Sequence, residues 1–424
     1  MSEANANPAT VSRRHLLAGI AVGGAFASVS SAPAIAETTG RWDVIVVGAG
    51  VFGAWTAWNL QRRGNTVLLL DAWGAAHSRA SSGGETRLIR TEYAADPLYT
   101  RWAWQSLAEW QALSRRHESP IFHDVGALYI YPENSALIDR SVTLQRDLGI
   151  PIDKLAAADM AKRWPQINFD GIAVGVWQPT MGALMARRSV QALVDEFVEA
   201  GGTFRQAAVA PPRSASGSLE AITIGGGETL RAGRFVFACG PWLPKLFPEV
   251  IGGRIVPTRQ DVFFFAPDGG DSRFEGAHFP AWVDVSSPKL HYGFPDIEAR
   301  GFKIALDAHG PRIDPDTTDR RISDQALAEV RAYIARRFPA LADRPLAESR
   351  VCQYENSDNG DLLIDRHPAW ANTWIAGGGS GHGFKQGPMV GRYVADLVSG
   401  AGNAEPRFVL ASHRVHDGAA DRTS

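Results

Sequence analysis

The stretch Trp42-Asp-Val-Ile-Val-Val-Gly-Ala-Gly-Val-Phe-Gly53, continued to Val67-Leu-Leu-Leu-Asp71, decides the fold. Val44 to Val47 is a short, wholly apolar run, the pattern of a parallel strand buried on both faces. Gly48, Gly50 and Gly53 follow it in G-x-G-x-x-G spacing. Gly48 allows a tight turn, Gly50 lets a diphosphate approach the backbone, and Gly53 lets the next helix pack close, so that its N-terminal N–H groups face an anion. Ala54 to Arg63 reads as that helix, Gly64 as its stop, and Val67 to Leu70 as a second buried strand ending in Asp71, an acceptor for an adenosine ribose. A lone G-x-G-x-x-G also suits an ordinary glycine turn. Here strand, glycines, helix, second strand and acid fall within one unit of about 30 residues, which points to a dinucleotide. The unit leaves flavin and nicotinamide dinucleotides both open.

Working outward, a polar glycine-rich connection, His77-Ser-Arg-Ala-Ser-Ser-Gly-Gly-Glu-Thr86, runs into Arg87 and Arg90, two cations three apart beside an expected phosphate site. Tyr99 to Leu113 has helical spacing, with Trp102, Trp104 and Trp110 read as core, and Gly126 to Tyr131 alternates like a strand. Arg188 to Ala200 is an amphipathic helix, followed by a strand and a hairpin around Gly225-Gly-Gly227. Phe235-Val-Phe-Ala-Cys-Gly240 restores the pattern of a buried strand entering glycine, so the nucleotide fold resumes there after an insertion. Cys239 is read as an inert buried thiol. Val262 to Phe265, Trp282 to Val285, Leu290 to Phe294 and Phe302 to Leu306 read as strands of a largely antiparallel sheet roofing a ligand site. Gln325 to Phe338 is a helix stopped by Pro339. The chain then returns through Val351-Cys-Gln-Tyr354 to a strand entering Gly377-Gly-Gly-Ser-Gly-His-Gly-Phe-Lys385 and a helix from Pro388 to Val398, whose N-terminus is a second anion site.

Together these imply an α/β protein: a Rossmann-type dinucleotide domain over 41–121, 188–250 and 351–412, interleaved with a mixed, largely antiparallel substrate domain over 122–187 and 251–350. With 424 residues, 45% hydrophobic and 21% charged, and a net charge of −2, the chain has ample core and no basic excess that would suggest a nucleic-acid partner. Its two cysteines are too few for a disulfide framework, and no metal-ligand spacing is evident. Residues 1–36 read as a twin-arginine export leader: Arg13-Arg14, then a weakly apolar run from Leu16 to Val29, then Ala34-Ile-Ala36 as a cleavage site. The run is shorter than a membrane span, so the expectation is a cleaved, periplasmic protein with no stable membrane insertion.

Val46-Val-Gly-Ala-Gly-Val-Phe-Gly53, Glu85-Thr-Arg-Leu-Ile-Arg90, His291-Tyr-Gly-Phe-Pro295, Gly301-Phe-Lys303, Val351-Cys-Gln-Tyr354 and Gly379-Ser-Gly-His-Gly-Phe-Lys385 together resemble the monomeric sarcosine oxidase family of flavin amine oxidases. That family includes N-methyltryptophan, pipecolate and fructosyl amino acid oxidases. The resemblance spans about Trp42 to Leu397 and implies FAD. It implies that Cys352, read as lying in a polar turn, forms a thioether to the flavin 8α-methyl group, with Arg87 nearby. Gly48, Gly50, Val51, Phe52, Gly53, Asp71, Ser82, Gly83, Thr86, Arg87, Gly381, Gly383 and Lys385 are the positions implied to meet the cofactor. Arg90 and Lys385 are implied to hold a substrate carboxylate, Lys303 to assist oxygen reduction near flavin N5, and Tyr292 and Tyr354 to line the pocket.

Two departures stand out. Asp307 replaces a family histidine four residues after Lys303, and Ser82-Gly83 replace a histidine pair. A carboxylate in place of an imidazole turns the expected substrate from sarcosine toward a basic or extended amine. The implied activity is oxidation of a secondary amine or N-substituted amino acid, by a monomer, with oxygen as acceptor and hydrogen peroxide as product. A dehydrogenase using a respiratory acceptor and a non-catalytic flavin-binding protein are the alternatives.

Overall fold

Val44, Ile45 and Val46 are fully enclosed because strand Trp42–Val47 has parallel neighbours on both sides, Val67–Asp71 and Thr229–Phe237. The computed structural model describes residues 42–415 apart from 216 and 288; the expected leader at 1–36 lies outside them. The first sheet runs in the order Leu363–Arg366, Thr373–Gly377, Thr229–Phe237, Trp42–Val47, Val67–Asp71, Thr203–Gln206, with Ala221–Thr223 also paired to Thr229–Phe237. Only Leu363–Arg366 and Ala221–Thr223 pair antiparallel, the latter across the hairpin expected at Gly225-Gly-Gly227.

The glycine turn is obligatory. Gly48 has φ +102, and a Cβ there would lie 2.4 Å from the Ala238 carbonyl oxygen; a Cβ at Gly53 would lie 1.8 Å from Gly48 O. Helix Val51–Arg62 therefore starts directly after extended Gly50, three residues earlier than the apolar pattern indicated. It packs on helix Gly387–Ser399, where a Cβ at Gly391 would approach Trp55 Cβ to 2.4 Å.

The second sheet has eight strands: Leu346–Ser357, Ile255–Phe265, Phe302–Leu306, His291–Phe294, Ala281–Asp284, Ala127–Tyr131, Val174–Gln178 and Asp153–Ala156. Every adjacent pair is antiparallel except Ala281–Asp284 with Ala127–Tyr131. Helix Asp324–Arg337, capped by the Ser323 hydroxyl, covers one face through Trp282, Phe302, Tyr333 and Phe338. There the buried Asp284 carboxylate accepts from Arg337 Nε at 2.9 Å and from the Tyr333 hydroxyl at 2.6 Å. A third, three-stranded sheet joins Thr86–Ile89 and Phe122–His123 to Gly182–Met185 and carries Arg87.

Both large sheets lie within one compact unit, Arg41–Ser424. One strand corrects the sequence reading. Leu346–Ser357 pairs with Ile255–Phe265 over its whole length, so a boundary at 351 falls inside a roof strand, and Cys352 lies on that strand and not in a polar turn. The pattern misled because Cys352 is flanked by polar residues that alternate in and out of a sheet face.

Candidate active site

A cavity of about 390 Å³ opens at the carboxyl ends of the parallel strands, where the fold class places nucleotides. Gly48, Gly50, Val51, Phe52, Asp71 and Ser82 line it, together with Ala238, Cys239, Gly240 and Glu355. A Cβ at Gly50 would meet nothing closer than Ser82 Oγ at 3.5 Å, so this glycine leaves its backbone open to a ligand. Val51 N donates to Ser82 Oγ at 3.1 Å, which ties the serine that replaces a family histidine to the helix N-terminus. Asp71 is more engaged than expected. It accepts from Ala49 N at 2.8 Å, Trp73 N at 2.9 Å and Gly74 N at 3.1 Å, which leaves about one lone pair for a ribose hydroxyl. Cys239 points at Val47 O, 3.3 Å away, and burial pushes its thiol far up, as suits an inert cysteine.

Arg87 bridges this cavity to a second one. Its Nη2 donates to Ser81 O at 2.6 Å, in the lining of the large cavity, and to Cys352 Sγ at 3.2 Å, while the side chain itself lines the small cavity. A Cβ at Gly84 would strike this guanidinium at 2.4 Å, so the glycine makes room for it. Burial works against the Arg87 charge, but Cys352, Tyr292 and Tyr354 together hold its pKa above the ordinary value. Gly83 is packed against His77 O and lines neither of these two cavities.

Lys303 is 2% exposed, and its Nζ donates to Thr86 O at 2.8 Å and Thr86 Oγ1 at 2.9 Å, with the Phe294 ring 4.7 Å away. It lines neither cavity. Burial, and then Arg87, push its pKa well below the ordinary lysine value, so its charge responds to any anion that forms beside it.

The small cavity, about 110 Å³, gathers Arg87, Arg90, Tyr292, Asp307, Tyr354 and Lys385, which come from strands of two sheets, the residues just past two of those strands, and the glycine loop before helix Gly387–Ser399. Lys385 Nζ donates to Tyr93 Oη at 3.1 Å and His382 O at 3.0 Å; burial first and Arg90 second push its pKa well down. The Arg90 guanidinium lies 4.1 Å over the Tyr93 ring and donates to Glu92 O. Burial opposes the Arg90 charge, yet Tyr129, Tyr93, Glu92 and Asp307 outweigh it and raise its pKa. Asp307, exposed at the rim, accepts from the Tyr354 hydroxyl at 3.0 Å. Burial raises the Tyr292 phenol to about 12. Gly381 has φ +78, and a Cβ there would press into the Tyr354 ring at 2.7 Å; a Cβ at Gly383 would meet Phe52 at 2.8 Å.

Sequence reasoning missed Tyr93, Tyr129 and His382, which surround Arg90 and Lys385, and Glu355, which directly follows Tyr354. His382 and Glu355 stand within or beside quoted motifs and were open to recognition; Tyr93 and Tyr129 carry no local signal. Trp110 is core as expected, and it also donates to Lys385 O at 2.9 Å.

A parallel sheet with a glycine turn, a cavity at the carboxyl ends of its strands and an adjoining small cavity bearing paired cations define a dinucleotide-binding fold with a second ligand site. The chain belongs to the family of FAD dependent oxidoreductases, DAO, whose sequence profile matches residues 43–397. Monomeric sarcosine oxidase of Bacillus sp. (strain B-0618) is 30% identical over 365 residues, 84% of this chain and 92% of that one. Peroxisomal sarcosine oxidase of Mus musculus is 30% identical over 388 residues, covering 90% and 97%. N-methyl-L-tryptophan oxidase of Salmonella heidelberg (strain SL476) is 28% identical over 379 residues, covering 88% and 98%. Among solved structures, L-proline dehydrogenase from P. horikoshii superposes with a TM-score of 0.75 at 21% identity, covering 86% of this chain and 95% of that one. The protein is an FAD-dependent amine or amino acid oxidoreductase of the sarcosine oxidase type.

Proposed function

We propose that the protein oxidises a secondary amine or N-substituted amino acid to its imine, with oxygen as acceptor. The observation that carries this is the convergence of Arg90 and Lys385 on one small cavity whose other wall holds Tyr292, Tyr354 and Arg87. Bound FAD would accept the hydride from the carbon beside nitrogen and pass two electrons to oxygen, giving hydrogen peroxide. The imine is then hydrolysed by water. Arg90 grips the substrate carboxylate as a planar fork and Lys385 as a point charge, orienting the C–H bond. An arriving carboxylate favours protonated Lys385, whose charge burial otherwise disfavours.

Cys352 would attach the cofactor: a C–S bond replaces a C–H bond of the 8α-methyl group, two protons leave, and two electrons reach oxygen through the flavin. Support comes from the Arg87 contact to its sulfur. Export by the Arg13-Arg14 leader, a periplasmic site of action and a monomeric state complete the proposal; the last draws on the names of the monomeric relatives.

The dehydrogenase reading has one observation in its favour, the withdrawal of Lys303 from both cavities onto Thr86. A panel of N-alkyl amino acids, assayed for peroxide in air and for flavin bleaching without air, separates the readings. Peroxide supports the oxidase. Bleaching without peroxide supports the dehydrogenase, and neither response across the panel overturns the catalytic reading.

A further inference from the structure

Among the described residues, Glu355 is the one acidic side chain that reaches the cofactor cavity from the roof sheet. It is 7% exposed, and its Oε2 has no hydrogen-bond partner. Glycines surround the carboxyl: a Cβ at Gly377 would lie 3.4 Å and one at Gly240 3.5 Å from Oε2, and one at Gly379 would lie 3.1 Å from Oε1. Among the described residues no side chain answers Oε2. On the partner strand the opposing residue is Pro257, which brings neither charge nor a free N–H. A buried polar atom left unpaired is costly, so an orphan oxygen in a ligand cavity points to the ligand.

Position along the cavity says which part of the ligand. On the FAD reading the glycine turn Gly48–Gly50 would take the diphosphate, Asp71 the adenosine side, and Arg87 and Cys352 the ring. Glu355 follows Tyr354, which lines the small cavity, and faces Gly240 and Gly378–Gly379, between the turn and the ring end. The stretch of FAD that crosses this interval is its ribityl chain, whose hydroxyls both donate and accept. We propose that Glu355 is a cofactor-binding residue that holds a ribityl hydroxyl of FAD through Oε2. The proposal rests on the FAD assignment and not on the identity of the substrate.

The chemistry favours a donor. Burial pushes the Glu355 carboxyl up to about 8, against the backbone N–H groups of Gly378 and Gly379, so at neutral pH it is largely protonated. Oε1 packs against Gly379, where a Cβ would lie 3.1 Å away, so the unpartnered Oε2 is the oxygen left to carry the proton toward a ligand. The titratable groups that share this part of the cavity are Cys239, kept neutral by burial and so without effect on the Glu355 charge, and Asp71, whose negative charge would only further disfavour an ionised Glu355. The cavity's His77 and Lys245 sit instead with Trp73, Trp242 and Asp316, and no ion pair to Glu355 occurs among the described residues.

The test uses holoenzyme carrying Cys352→Ser, in which the flavin can leave, and follows FAD release on dilution by recovery of flavin fluorescence from pH 6 to pH 10. Release from this parent should accelerate about tenfold for each unit above pH 8, until the ligand-bound carboxyl has itself ionised. Adding Glu355→Gln, which keeps a donor at every pH, should leave release at pH 7 within about threefold and flatten the profile. Adding Glu355→Leu should speed release about tenfold at pH 7, also without pH dependence. FAD analogues each lacking one ribityl hydroxyl then locate the contact: one of them should be released equally fast from the parent and from the Leu variant. A pH profile unchanged by Glu355→Gln overturns the donor role. A Leu effect that persists with every analogue overturns the ribityl assignment in favour of the diphosphate. If Glu355→Leu does not fold, the Gln variant and the analogues on the parent decide the matter alone.

Discussion

Arg87 Nη2 lies 3.2 Å from Cys352 Sγ, a contact between residues 265 positions apart in the chain. The same guanidinium is anchored to Ser81 O and Thr86 O, so it presents a fixed donor to the sulfur. Wild-type protein should retain yellow flavin through acid precipitation, and Cys352→Ser should retain none. Arg87→Met keeps the thiol but loses its orientation, so flavin attachment should slow ~10²-fold, followed as acid-stable absorbance over time. Acid-stable flavin in Cys352→Ser at the wild-type level would sink the covalent assignment.

The two buried lysines should separate kinetically. Lys385 lines the small cavity and Lys303 does not, so on the proposed mechanism Lys385→Met should slow anaerobic flavin reduction while Lys303→Met should mainly slow reoxidation by oxygen. Loss of a preorganised donor typically lowers a rate ~10²–10³-fold, well within reach of stopped-flow absorbance. Wild-type reoxidation in Lys303→Met would move the assignment to the dehydrogenase.

Asp307 stands exposed at the rim of the small cavity, bonded to Tyr354. An exposed ion pair is worth ~1 kcal/mol or less. Asp307→Asn should therefore lower kcat/KM for N-methyl amino acids with cationic side chains by about two- to fivefold relative to sarcosine. An unchanged ratio means that the carboxylate does not read the substrate's charge.

His291 lies flat against Tyr333, ring centroids 3.7 Å apart, and burial lowers its pKa to about 4. An unfolded chain binds this proton near pH 6.5 whereas the folded chain resists it. The contribution is thus complete above pH 6.5 and is lost as pH falls toward 4, on the order of 3 kcal/mol in all. His291→Phe keeps the ring stack without the proton, so its urea midpoint should change less than wild type between pH 7 and pH 4.5. Parallel losses in the two proteins would assign the acid sensitivity elsewhere.

Replacing both Arg13 and Arg14 by lysine should leave holoprotein in the cytoplasm, because a folded flavoprotein cannot use a route for unfolded chains. Cell fractionation with flavin fluorescence reads the outcome, and undiminished periplasmic protein would count against the twin-arginine leader.

What the amino-acid order determined by itself is local. The apolar run Val44–Val47, the positive φ of Gly48, the close approach of Gly53 to Gly48 O, the helix stops and the alternation along each roof strand depend on neighbours within a few residues, and so their pattern survives in one dimension. Arg90, Lys385, Tyr292, Tyr354 and Asp307 were legible only through motif resemblance, and the structure brings them to one cavity. Tertiary structure alone decided the rest. Burial and long-range pairing set which lone pairs of Asp71 are taken, place Cys352 on a roof strand and withdraw Lys303 onto Thr86. They also leave Glu355 Oε2 with no partner. Desolvation depends on everything that packs around a group, from any distance along the chain, so a residue's charge and its unmet hydrogen bonds become properties of the folded molecule only.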